Sequence, residues 1–117
     1  MSVSASSSLN TELEPFRIEV HRERARVREV PLGEVDIATV GQIDERLREL
    51  QRTGHKRFVL DLRQLRYMDS SGLRLVLAWD AAARQNGISF MVIEGPPAVQ
   101  RVFQLAGVLD QLPFRTS

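Results

Sequence analysis

A chain of 117 residues with a formal net charge of +1 and no cysteine has room for one compact domain around one hydrophobic core. The missing thiols exclude disulfides, thiol nucleophiles and cysteine-based metal sites, and the near-balanced charge gives no general attraction to nucleic acid or anionic membrane. No apolar run approaches the roughly 20 residues of a membrane span, and 43% hydrophobic with 26% charged residues is ordinary globular composition.

In chain order, residues 1–14 are serine-rich and weakly hydrophobic, which predicts a flexible tail ahead of a domain over 15–117. The first ten residues lack the basic start and apolar stretch of a secretory signal, so the expected location is cytoplasmic. Phe16, Ile18 and Val20 alternate with Arg17, Glu19 and His21, the pattern of a half-buried strand. A turn at 23–25 leads to a second strand over 26–32, with Val27, Val30 and Leu32 inward. Pro31 has no N–H for a ladder and predicts a bulge or an early end. Residues 33–36 then introduce a helix in which Ile43, Leu47 and Leu50 recur at helical spacing, with Gly54 as its stop.

Residues 58–62 read as a buried strand, followed by a helix from about Ser71 that Gly87 ends. Leu73, Val76, Leu77 and Ala81 form its expected core stripe. Leu75, Ala78, Trp79 and Ala82 make a second apolar face, which either packs under another element or offers Trp79 to a partner as an anchor. Residues 89–93 are a further strand. Pro97 suits the first position of a helix that carries Val99, Val102, Phe103 and Ala106 inward, and residues 109–114 add a short last strand. The order β-β-α-β-α-β-α, with a last β, predicts an α/β fold. Its sheet is mixed and mostly parallel, of four to five strands packed with helices, and the first hairpin forms an antiparallel edge.

Catalytic chemistry finds little support. His21 and His55 have no local metal-ligand partner, and no Walker loop, GxGxxG or GxSxG is present. No nucleophile–base pair stands out, so neither an enzyme nor a cofactor is expected. Arg22, Arg24, Arg26 and Arg28 form a dense basic stretch. Glu19, Glu23 and Glu29 interrupt it and no aromatic accompanies it, so a solvated hairpin face is the expected reading.

The most informative stretch is Asp69-Ser70-Ser71-Gly72-Leu73, which joins a strand to the longest apolar helix. Asp and Ser there suit N-capping, because their oxygens accept hydrogen bonds from first-turn amides that lack partners. The same amides and the helix dipole would also tolerate a phosphate on a serine.

Gly33-Glu34-Val35-Asp36, Val59-Leu60-Asp61-Leu62 and Met68-Asp69-Ser70-Ser71-Gly72-Leu73 occur in that order. The run from Gly95 to Phe103 and Ala106-Gly107-Val108-Leu109 follow. Together they resemble the STAS domain of bacterial anti-sigma factor antagonists, over about residues 16–114. Val35 stands where leucine is commoner, and the C-terminal helix of many relatives is expected to be short or missing. The resemblance implies a switch by partner exchange. The unphosphorylated domain would bind an anti-sigma factor that is also a serine kinase. Phosphorylation of Ser70 would end that binding, and a PP2C-type phosphatase would reset it; the nucleotide and Mg²⁺ would belong to the kinase. The implied partner-binding residues are Gly33, Glu34, Asp36, Asp69, Ser71, Gly72, Arg74, Leu75 and Trp79. Gly72 is expected to leave room for a partner beside Ser70. A weak homodimer is compatible with this reading, whereas direct nucleic-acid or membrane contact is not expected. The alternative is a non-switching STAS scaffold in a stress-signalling or lipid-transport assembly.

Overall fold

β1 (Arg17–Arg22) and β2 (Val27–Val35) open the fold as an antiparallel hairpin, in register from Arg17 opposite Leu32 to Arg22 opposite Val27. The structure, a computed structural model, describes residues 15–116, so the expected tail over 1–14 lies outside the described residues. After the hairpin come α1 (Val40–Arg52), β3 (Arg57–Asp61), β4 (Leu65–Met68) and α2 (Ser70–Asn86). β5 (Ser89–Ile93), α3 (Pro97–Leu105) and β6 (Phe114–Arg115) complete the order. The sheet runs β1-β2-β3-β5-β6, with β4 pairing β2, and every pairing except the hairpin is parallel. Strand–helix–strand crossovers account for the parallel pairs, as the element order predicts.

Several expectations need correction. The sheet has six strands among the described residues rather than four to five, because residues 65–68 form a strand that the sequence pattern does not announce. β2 passes through Pro31 and reaches Val35 instead of ending early. The reason lies in its neighbours. On the side away from β1, β2 pairs β3 along Val27–Glu29 and β4 along Gly33–Val35, so Pro31 falls in the gap between them. A residue without an N–H is tolerated there, and the register irregularity comes later, between Gly33 and Glu34.

The third correction concerns α2. Its buried line is Gly72, Val76, Trp79 and Ala83, spaced four, three and four residues apart on one helix face. Leu73 and Leu77 are half-buried and Ala81 is exposed, so the expected stripe was out of phase. Ala106, expected inward, is exposed as well. Ile43 and Leu47 of α1, Val99 and Phe103 of α3, and Phe58, Leu60, Phe90 and Val92 of the sheet join that line in one core.

Candidate functional site

The parallel pairing of β2 with β4 places two turns side by side. Val35 pairs Met68, and the next residue on each strand is an aspartate, Asp36 and Asp69. The Asp69 N–H donates to the Val35 carbonyl at 3.0 Å, which ties the second turn to the first.

Asp69 is the N-cap of α2. Its backbone is extended and its Oδ1 accepts the Ser71 N–H at 2.8 Å, satisfying one first-turn donor. Ser70 is then the first residue of the helix and is exposed, whereas Ser71 keeps only 7% of its surface. One turn further on, Arg74 Nη1 donates to Ser70 Oγ at 3.3 Å. A guanidinium and the positive end of a 17-residue helix thus share one hydroxyl.

Asp36 organises the neighbouring turn. Its Oδ1 accepts the Ala38 N–H at 2.9 Å and the Thr39 N–H at 3.2 Å. The Thr39 hydroxyl donates to the Glu34 carbonyl at 2.8 Å and accepts the Asp36 N–H at 3.0 Å. The carboxylate therefore caps the turn that precedes α1, while Thr39 holds the N-cap position. These bonds fix a loop that carries Ile37, 79% exposed, at its tip. Tyr67, opposite Glu34 in the β2–β4 register, is 48% exposed.

The residues expected at a partner surface divide by burial. Glu34, Ser70 and Arg74 are exposed, and Asp36, Asp69 and Leu75 are partly so. Gly33, Ser71, Gly72 and Trp79 are buried and hold the site from beneath. Gly72 does not leave room for a partner. A Cβ there would collide with Met68 Cγ and Sδ and crowd Val35, so the missing side chain lets α2 rest on the ends of β2 and β4. Gly33 has φ +110, and a Cβ on it would stand 3.3 Å from the Phe16 backbone. Trp79 is no surface anchor either. It is 7% exposed, lies 6.4 Å from the rings of both Phe58 and Phe90, and donates its indole N–H to Asp44 Oδ1 at 2.8 Å.

Ile37 and Tyr67 escaped the sequence reading. The signal for Ile37 was present, a large apolar residue amid turn-forming neighbours where a core position was not on offer. For Tyr67 no signal existed without knowing that residues 65–68 form a strand.

The family described as "Mlab, STAS domain" matches residues 22–113. The chain belongs to the STAS domain family. It is 35% identical over 85 residues to the Bordetella bronchiseptica protein named anti-sigma factor antagonist BtrV, covering 73% of each chain. A Staphylococcus aureus anti-sigma-B factor antagonist is 30% identical over 78 residues, with 67% of this chain and 72% of that one covered. Among solved structures, the anti-sigma factor antagonist SpoIIAA in its unphosphorylated form superposes with a TM-score of 0.69 at 26% identity. That match covers 88% of this STAS chain and 90% of SpoIIAA. The STAS assignment agrees with the observed α/β architecture, and these relatives carry the names of regulatory antagonists. No helix among the described residues is long and apolar enough to cross a membrane.

Proposed function

We propose that this STAS domain is an anti-sigma factor antagonist whose partner binding is switched by phosphorylation of Ser70. In this reading the unmodified face binds an anti-sigma factor with serine-kinase activity, releasing a sigma factor. A phosphatase of the PP2C type returns the modified form to use. The supporting observation is the exposure of Ser70 at the first position of α2, flanked by the two aspartate turns.

The electrostatics fit such a switch. A phosphoryl group adds about −1.5 to −2 charges. The helix terminus offsets this by roughly 0.3–1 kcal/mol, and the Arg74 guanidinium lies within reach of Ser70 Oγ. The fold therefore has means to accept the charge. A partner surface does not, because burying an anion without a counter-charge costs several kcal/mol. A loss of only about 2.8 kcal/mol weakens affinity on the order of a hundredfold. Ile37 on the Asp36 turn and Tyr67 on β4 supply exposed apolar surface, and Glu34, Asp36 and Arg74 supply polar groups.

The test is capture from the native host with wild-type and Ser70→Asp baits, with partners identified by mass spectrometry. A protein kinase of the anti-sigma class should be retained by the wild type and lost by Ser70→Asp. Equal capture by both baits would remove the switch and leave the scaffold reading.

A further inference from the structure

The opposite end of the sheet carries a second surface that the phosphoserine face does not use. β2 starts at this end, at Val27, and finishes beside Ser70 at Val35. At about 3.3 Å per residue the two ends lie roughly 25 Å apart. The β1–β2 turn and the loop between α1 and β3 meet here. They line a groove of about 410 Å³ that includes Arg22, Arg24, Lys56 and Arg57. Among the described residues these four cations make no ion pair. The carboxylate in the groove, Glu23, is already held by Arg26 Nε at 2.9 Å and Arg28 Nε at 2.8 Å. A second groove, of about 400 Å³, shares Ala25, Arg26 and Arg57 with the first. Its lining includes Val59, Met91 and Arg115.

We infer that these adjoining grooves form a docking surface for an extended acidic segment of a partner protein, one that mixes carboxylates with apolar side chains. Charge complementarity points to this occupant: four cations with no ion pair among the described residues are gathered on a chain whose total charge is +1, so the excess is local. Arg26, which lines both grooves, already holds the carboxylate of Glu23, and a planar guanidinium fork suits that group. Shape adds to this. The second groove has apolar side chains in its wall, which a peptide can use and a phosphate backbone cannot. Neither groove is lined by an exposed aromatic ring on which a base could stack, which argues against single-stranded nucleic acid. A concave surface without a protruding apolar anchor does not suit a lipid face.

The experiment is fluorescence anisotropy with a labelled peptide of mixed glutamate and leucine, at physiological salt, on wild-type protein and the Arg24→Glu/Lys56→Glu double variant. A single-stranded oligonucleotide and phosphatidylglycerol vesicles are run alongside. The peptide should bind the wild type, and charge reversal should weaken it by about tenfold or more. Amide shifts in the wild-type protein should map to residues 22–26 and 54–57, which does not depend on the variant folding. Ser70→Asp should bind the peptide as the wild type does, so failure of the phosphoswitch leaves this result standing and the reverse. Absence of peptide binding, equal binding by the double variant, or tighter binding of the oligonucleotide or vesicles would overturn the inference.

Discussion

Ser70 and Ser71 are the same residue type one position apart, and burial separates their chemistry. A kinase needs the attacking hydroxyl in its own active site, and only Ser70 presents one to solvent. Ser71 is held with its N–H on Asp69 and its side chain against the core. If the proposed switch operates, incubation with a partner kinase captured by the wild type should put phosphate on the wild type and on Ser71→Ala but not on Ser70→Ala. Phosphopeptide mass spectrometry reads the site directly, and a phosphate found on Ser71 would refute it. Gly72 gives a residue-scale prediction of a different sort. Ala in place of a helical glycine usually gains about 1 kcal/mol, but here the added carbon meets Met68, itself buried, and Val35. Overpacking of that kind costs typically about 1–3 kcal/mol, so Gly72→Ala should lower stability in urea unfolding. A gain would mean that Met68 moves aside without cost. The serine pair was legible in the sequence because it interrupts two apolar elements. The role of Gly72 was not, since the atoms that fill its space belong to a strand the pattern did not reveal.

The element scale explains why the sequence placed some parts and missed others. Strands of five or six residues with alternating or continuous apolar character, such as β1, β3 and β5, announce themselves through periodicity. β4 has four residues, Leu-Arg-Tyr-Met, buried only at its ends, and no window that short distinguishes it from a loop. Helix α2 posed the reverse problem, because apolar residues ring most of its circumference and two faces compete. Asp44 decides between them: it lies 35 residues away in sequence and accepts the Trp79 indole N–H. Such a bond becomes visible only once α1 is packed beside α2. β4 in turn positions the cap. Asp69 follows Met68 directly, and its carboxylate takes a donor that would otherwise have no partner in the first turn. Loss of an N-cap aspartate costs about 0.5–2 kcal/mol. For a domain of this size each kcal/mol is about 4–8 °C. Asp69→Ala should accordingly melt several degrees lower by circular dichroism, and Asp69→Asn or Asp69→Ser should recover most of the difference. If alanine and asparagine melt alike, the carboxylate contributes no cap.

At the scale of the whole molecule, two buried carboxyls set opposite limits on the pH range of the fold. Asp61, 2% exposed, would be raised by burial. Hydrogen bonds from the Arg63 side chain and backbone and from Arg28 outweigh that and hold it below its ordinary value. Its contribution is present above the unfolded value near 3.8 and is lost as pH falls further. Glu29 behaves in the other direction. It lies on β2 between Val20 and Leu60, has no solvent exposure, and neither carboxylate oxygen has a hydrogen-bond partner among the described residues. Burial raises its pKa from 4.5 to about 8, with Arg46 opposing the rise and Asp44 adding to it. The folded protein therefore keeps this proton over a range in which the unfolded chain has released it. Between about pH 4.5 and pH 8 the unfolded state binds fewer protons, so stability falls as pH rises, and the dependence ends once the folded carboxyl also ionises. A displacement of that size corresponds to a loss on the order of 4 kcal/mol across the window. Urea unfolding from pH 4 to pH 9 should thus show wild-type stability greatest near pH 4–5 and declining toward pH 8. Glu29→Gln should remove the decline while keeping the shape of the side chain, and Glu29→Leu should in addition raise stability above pH 7, since no polar group is then buried without a partner. If the Glu29→Gln profile falls as steeply as the wild type, the proton that governs alkaline stability sits elsewhere.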